Sequence, residues 1–354
     1  PVMKTGKISD SVLKRSVLKY IPTANEAVRK GAEVGTDCAF LCWKGSELAV
    51  SMQTINLPIE DGCEYAVYAA VNNLAASGSK PKALTLAITL PPSAEEADLK
   101  KIMEQAADVC RELQISIIGG HTEVSYSVNC PVISVTALGE AGVDDAEESG
   151  DKKTDRVESD KPESDKPESG KPKPGNAIVL SKWIGLEGTA MLAATKEREL
   201  LTRYPMNLVR SARGFKKYLP IIPEAATALK SGVCTMTDVR NGGIFGALFQ
   251  LAKSAGVGLN VDLKAIPVKQ ETIEICEFFD INPYKIVSGG CLLIAANDGN
   301  AIVRELQKEG IHAVVIGKAT DNNDRVLINE EERRFLETTQ TDEMYHIDRD
   351  KVNF

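Results

Sequence analysis

Histidine is nearly missing from this chain: 354 residues hold only three, His121, His312 and His346. No two cysteines stand at Cys-x-x-Cys spacing, and the eight present (Cys38, Cys42, Cys63, Cys110, Cys130, Cys234, Cys276, Cys291) are spread through segments that read as strands and helices. A tetrahedral zinc site therefore has no good ligand set, and buried free thiols in a reducing compartment are expected. Clusters of Lys and Arg with interleaved aromatics are also missing. With a formal charge of -8 and 5% aromatic residues, the chain does not read as a nucleic-acid binder. No apolar run approaches a membrane span, and the stretch holding Lys4, Lys7, Asp10, Lys14 and Arg15 lacks the apolar core of a signal peptide. A cytoplasmic protein with neither membrane nor nucleic acid as partner is expected. Phosphate ligands stay open, because Mg²⁺ and backbone N–H groups make a locally cationic nucleotide site within an acidic protein.

What the chain does have is material for two cores. It is longer than one core usually supports, and 43% of its residues are hydrophobic. The expected division is an N-terminal domain over 1–142, an insert over 143–175, a C-terminal domain over 176–330 and a polar tail over 331–354. The insert breaks the pattern completely. From Asp144 to Gly175 its only aliphatic side chains are Ala146 and Val157, and Asp-Lys-Pro-Glu-Ser occurs at 160–164 and again at 165–169. Such a segment cannot bury enough apolar surface to offset its ordering entropy, so it reads as a flexible linker.

Strand and helix signals alternate on both sides of it. The spacing predicts helices over Ile8 to Tyr20, from Cys63 to a stop near Gly78, and after a capping box at Ser93 and Glu96. It predicts strands over Leu48 to Met52, Lys82 to Leu90, Gln114 to Ile118 and Cys130 to Leu138. After the insert, strands are expected at Asn176 to Leu180, Cys234 to Val239, Leu259 to Leu263, the apolar run ending at Ala296, Ala313 to Ile316 and Arg325 to Ile328. Helices are expected between them, and loosely held polar chain after Asn329.

Three places combine a strand end, a Gly turn and polar groups. Gly35-Thr-Asp37 delivers a carboxylate just ahead of an apolar strand; it can hold Mg²⁺ on a phosphate or simply cap a turn. Gly119-Gly120 is followed at once by His121, Thr122 and Glu123, expected to emerge at the end of a strand. A Gly-Gly turn with solvated polar neighbours accounts for the same residues. Asp238 is followed by Arg240-Asn241-Gly242-Gly243 and then a helix, and it can likewise cap a turn.

The order of these motifs is more specific than any one of them. Gly35-Thr-Asp-Cys-Ala39, Val71-Asn-Asn-Leu-Ala-Ala-Ser-Gly78, Gly119-Gly-His-Thr-Glu-Val124, Gly185-Leu-Glu-Gly-Thr189, Thr237-Asp-Val-Arg-Asn-Gly-Gly243 and Ser288-Gly-Gly-Cys-Leu-Leu293 together resemble the aminoimidazole ribonucleotide (AIR) synthase superfamily. Within it, the likeness is to AIR synthase-related proteins of the HypE hydrogenase-maturation type. The resemblance implies a PurM-like α+β fold of two domains, the N-terminal sheets of two subunits pairing in a barrel-like homodimer. It implies ATP between the domains, with its phosphates on Mg²⁺, and activation of a carbonyl, amide or acid oxygen by phosphoryl transfer. Asp37, His121, Glu123 and Asp238 then fall at catalytic positions, with Asp37 and Glu123 as metal ligands. Gly35, Gln53, Asn73, Gly119, Gly120, Thr122, Gly242 and Gly243 fall at cofactor positions. The chain departs from the family pattern where Gln53 and Asn73 stand in place of Asp, which weakens a hard-cation site. It also departs at Arg240-Asn241, where relatives have Thr-Glu. A non-catalytic dimeric scaffold or regulator with a degenerate nucleotide site is the alternative.

Because the insert is polar and repetitive, replacing residues 144–173 with a few Gly and Ser should leave the melting temperature nearly unchanged. A scanning-calorimetry comparison checks this, and a large loss of stability would mean that the insert packs against a folded domain.

Overall fold

The computed structural model describes residues 8–22, 26–43, 46–141, 171–337 and 341–347. The central part of the acidic insert, 142–170, lies outside them.

The element on which both halves are built is helix α2 (Gly62–Ala76). Its sequence, GCEYAVYAAVNNLAA, is rich in small residues, and all but Glu64 and Ala76 are buried. A helix buried all round must be covered on every side. Here strands β3 (Ser46–Ile55) and β6 (Val132–Glu140) and helix α3 (Glu96–Glu112) of the first domain cover one side. Helix α7 (Ile222–Lys230) and strand β8 (Val233–Asp238) of the second domain cover the other. One hydrophobic core therefore runs from Leu74, Leu84 and Val135 of the first domain to Leu186, Met191 and Phe215 of the second.

The N-terminal sheet has the order β1-β2-β3-β6-β4-β5, with β1 at Val28–Lys30, β2 at Ala39–Trp43, β4 at Lys80–Leu90 and β5 at Ser116–Val124. Its pairs are antiparallel except β4 with β5. Helices cover one face only, so β6 alternates between buried Ile133, Val135 and Ala137 and half-buried Ser134, Thr136 and Leu138. The open face carries Met52 and its neighbours on β3 and β6. Strands β4 and β6, expected to bear exposed edges, are interior; the exposed edge is β5, where Ile118 and Val124 lie open to solvent.

The C-terminal sheet has the order β13-β12-β9-β11-β7-β10-β8, with β9 at Gly258–Asp262, β11 at Ala313–Thr320, β12 at Arg325–Asn329 and β13 at Glu332–Phe335. Strands β7 (Ala177–Ser181) and β10 (Leu292–Ala296) are buried on both faces, which explains their unbroken apolar runs. Leu293 and Ala295 pack under helix α8 (Gly243–Ala255), while Leu292, Ile294 and Ala296 pack under α7 and α10 (Gly299–Lys308).

Three local expectations change. Strand β5 does not stop at Gly119-Gly120 but runs through them with a register shift opposite Leu84 and Thr85. A Cβ at Gly120 would collide with the Leu86 carbonyl, so the glycine is needed for close strand approach and not for a turn. The capping box of α3 lies two residues further on, Glu95 with Asp98, the Glu95 N–H donating to Asp98 Oδ2 at 2.8 Å. The described part of the tail is not loose: β13 (Glu332–Phe335) pairs with β12 (Arg325–Asn329), and Leu336, Asp342 and Met344 are buried. Only two of these side chains, Leu336 and Met344, are apolar, too few to stand out in a polar sequence.

Polar contacts fix the two domains around α2. Asn72, 1% exposed, donates to the Leu219 carbonyl at 2.8 Å and accepts from the Ile221 N–H at 3.2 Å. Lys216 bridges Asp61 (2.9 Å) and Glu64 (2.8 Å) at the start of α2. Asn72→Ala leaves a buried carbonyl and a buried N–H unpaired, which should cost about 2–4 kcal/mol. Denaturant unfolding measures it; a loss below about 1 kcal/mol would mean that the second domain does not depend on this side chain.

Candidate functional site between the two domains

Strand β8 ends in Asp238, and the next residue, Val239, still gives its N–H to the Cys291 carbonyl at 3.3 Å. Asp238 is 8% exposed, and neither carboxylate oxygen has a hydrogen-bond partner. Burial pushes its pKa up to about 7; Arg240 lowers it, while Glu187 and Asp37 raise it. Asp37, in the turn before β2, is thus close enough to Asp238 for their charges to interact across the domain boundary. An unpartnered buried carboxylate facing a second carboxylate is suited to a cation.

Beside it lies a feature that the motif comparison did not assign. Glu187, on the first turn of α4 (Leu186–Thr195), is 1% exposed and pairs with Arg240 at 3.0 Å. Its other oxygen accepts the Gly289 N–H at 3.0 Å. A Cβ at Gly289 would strike this carboxylate, so the Ser288-Gly-Gly290 turn is glycine for contact with Glu187. Burial raises the pKa of Glu187, while the Arg240 guanidinium and the Gly289 N–H lower it.

Gly242 and Gly243 follow Asn241 at the N-terminus of α8. Both have left-handed backbone, φ 84° and 62°. A side chain at Gly243 would meet the Tyr284 and Ile286 carbonyls. The Gly242 N–H donates to Oδ2 of Asp342 at 2.7 Å, and Asp342 Oδ1 accepts the Met344 N–H at 3.0 Å. Burial raises the Asp342 pKa to about 6 against the backbone N–H groups of Met344, Gly242 and Val287.

Of these groups, Arg240 and Asp342 line a small cleft between the domains. Thr54 and Asn56 line it from the first domain, Arg240, Asn241 and Val287 from the second, and Asp342 and Tyr345 from the C-terminal segment. The Tyr345 hydroxyl donates to Asn56 Oδ1 at 3.4 Å.

The remaining expected residues do not all join this cluster. Gly35, left-handed at φ 82°, lies against Ser254 of α8 and holds the Asp37 turn to the second domain. Gln53 lies within β3 on the same side as buried Ala49 and Ser51, not in a polar loop. Asn73 is buried; its amide donates to Ser51 Oγ at 3.1 Å and its carbonyl accepts the Cys38 thiol at 3.3 Å. Gly119, Gly120, His121, Thr122 and Glu123 all lie on edge strand β5. His121 and Glu123 stand 3.6 Å apart, in register with Ala87 and Thr89. Strands β2 and β5 are four places apart, about 19 Å. Within one chain, Asp37 and Glu123 therefore do not form one metal site; the nearer carboxylate to Asp37 is Asp238. Among the described residues no three His, Cys, Asp or Glu side chains converge as metal ligands. Likewise, no helix there is long and apolar enough to cross a membrane.

Glu187, Asn56 and Asp342 were missed as site residues. Glu187 had a signal in Gly185-Leu-Glu-Gly188, where a carboxylate opens a helix of small residues. Asp342 had none, since its importance comes only from the return of the tail.

The chain is 26% identical over 333 residues to a putative hydrogenase expression/formation protein of Methanocaldococcus jannaschii, covering 91% of each chain. It is 26% identical over 290 residues to the carbamoyl dehydratase HypE of Cupriavidus necator, covering 80% of this chain and 74% of that one. The solved structure of the hydrogenase maturation protein HypE in complex with ATP superposes with a TM-score of 0.65 at 19% identity, covering 95% and 96%, which shows a shared fold. Residues 35–141 match the N-terminal domain and 173–329 the C-terminal domain of AIR synthase related proteins, and the chain belongs to that family.

Proposed function

We propose that this protein binds ATP with Mg²⁺ in the interdomain cleft and uses it to phosphorylate a carbonyl, amide or acid oxygen of its substrate, in the maturation of a metalloenzyme. The observation that carries this reading is Asp238, a buried carboxylate with no partner, facing Asp37 next to a Gly-Gly turn that opens a helix. Oxygen donors of this kind fit a hard cation, and Asp37 and Asp238 would hold it. When bound, Mg²⁺ neutralises phosphate charge. The chain's own residues supply the rest: Gly242 and Gly243 offer backbone to a phosphoryl group, and Arg240 keeps a positive charge at the cleft wall. Thr54 and Asn56 offer hydroxyl and amide groups to orient the acceptor. The ATP-bound HypE neighbour and the carbamoyl dehydratase relatives support the assignment to ATP-dependent activation.

A second copy covers the open face of the N-terminal sheet in this reading. Met52 is 60% exposed there, and His121 and Glu123 lie on the same face, at the subunit junction. One observation favours the non-catalytic alternative. Asn73, at a position where relatives carry Asp, is committed to Ser51 and adds no charge to the site. A scaffold that binds nucleotide without turning it over accommodates that.

Calorimetric titration with ATP distinguishes the two readings when paired with single-turnover assays. Mg²⁺-dependent binding that Asp238→Asn abolishes, with phosphoryl transfer, supports the enzyme; binding without transfer supports the scaffold. The pH dependence has a definite sign. The Asp238 proton, held up to about pH 7, must leave before a cation binds, so Mg²⁺-dependent affinity should rise from pH 6 to pH 8 and then level. Asp238→Asn should remove that slope. The same group makes folding less favourable as pH rises from its unfolded value of 3.8 towards 7, so Asp238→Asn should raise the melting temperature at pH 8 and not at pH 4.

Light scattering at micromolar concentration should give a dimer, and Met52→Arg should give a folded monomer. A monomeric unmodified protein would refute the pairing.

A further inference from the structure

The carboxylate of Asp342 occupies the position that an anionic ligand of the cleft would use. We propose that the segment 341–347 is a built-in occupant of the Gly242-Gly243 turn, and that a phosphoryl group reaches this turn only by displacing it. The proposal rests on the nucleotide reading above and concerns the regulation of that site.

Three observations carry it. First, the turn already holds an anion: Asp342 Oδ2 accepts the Gly242 N–H at 2.7 Å, at the start of the thirteen-residue helix α8. A carboxylate on backbone N–H groups at a helix N-terminus does what a phosphate oxygen does there. Second, Asp238, at the head of the same turn, is a buried carboxylate with both oxygens unpartnered. With only the carboxylate of Asp342 in the turn, nothing answers Asp238; a phosphoryl group accompanied by a divalent cation answers both. Third, the segment is held by side chains and not by a sheet. Its contacts include Met344 and Ile347 on the core, Asp342 on the backbone N–H groups of Gly242 and Val287, the long Tyr345 to Asn56 bond of 3.4 Å and a 3.4 Å bond from the Glu343 N–H to the Lys285 carbonyl. Its short helical turn, Glu343–His346, makes its own backbone bonds, so it can lift away as a unit.

The exchange is chemically favourable to a polyphosphate. It brings more charge and more acceptor oxygens to the N–H groups than one carboxylate does. Displacement also returns the Asp342 carboxylate from a buried position to water, recovering its hydration. The segment would then lower the apparent affinity for nucleotide by the fraction of molecules in which it is seated.

The test is titration of ATP with Mg²⁺ into the full-length protein and into Asp342→Ala, with amide hydrogen exchange of 342–346 followed in the unmodified chain. Asp342→Ala should tighten ATP by about tenfold, and Met344→Ala, which loosens the anchor, should tighten it less. ATP should accelerate exchange at Met344 and Tyr345. If ATP binds both proteins equally, or binds Asp342→Ala more weakly, and exchange does not change, the segment is a permanent wall of the site and the proposal fails while the nucleotide reading stands. If neither protein binds ATP, both fail. Circular dichroism controls for folding, and should Asp342→Ala not fold, Asp342→Asn decides by the same criteria.

Discussion

The structure depends on one constraint: α2 is apolar on every side and must be covered by two sheets at once. A helix with Tyr65, Ala66, Val67, Ala69, Ala70 and Val71 all buried has no solvent face, so neither domain can satisfy it alone. The second domain brings Leu219 and Ile221 against it, and the polar atoms exposed by that approach are taken by Asn72. The Lys216 bridges to Asp61 and Glu64 then fix the rotation at the N-terminal end of the helix. With α2 fixed, Asp37, just before β2, comes within electrostatic reach of Asp238 at the end of β8. The separation of these two carboxylates is thus a consequence of how one helix is buried.

This dependence also decides which parts of the site are rigid. Glu187, Gly289 and Asp238 are buried in the second domain, and Arg240 is held there by its pairing with Glu187. The groups on the first domain's side, Thr54 and Asn56, lie at the end of a strand whose outer face is open. The C-terminal segment closes the cleft from the third side and contributes its own carboxylate.

Much of the fold was legible because each strand and helix carries its own periodicity. The alternation of Leu84, Leu86, Ile88 and Leu90 gave β4, and the continuous run at Leu292 to Ala296 gave a strand buried on both faces. Gly119-Gly120 misled, because glycine marks close backbone approach within a strand as well as turns, and a single sequence does not say which. The set of conserved-looking polar groups was read as one cluster for the same reason. Sequence order placed His121 and Glu123 in a motif, but strand order puts them four places from β2. The role of Asp342 depends wholly on tertiary return of the chain, and no local pattern encodes that.

The arrangement of Arg240 explains how the second domain tolerates its charges. Asp238, Glu187 and Asp342 bring three carboxyl groups into one buried region, and Glu187 raises the pKa of each of the other two. Arg240 pairs with Glu187 and also lowers that of Asp238, so a single guanidinium offsets two of the three. The backbone N–H groups of Gly242 and Met344 offset the third. Arg240 reaches Asp238 through its charge and not through a hydrogen bond, so both carboxylate oxygens of Asp238 stay open to a ligand while the other two carboxylates are already hydrogen-bonded or ion-paired.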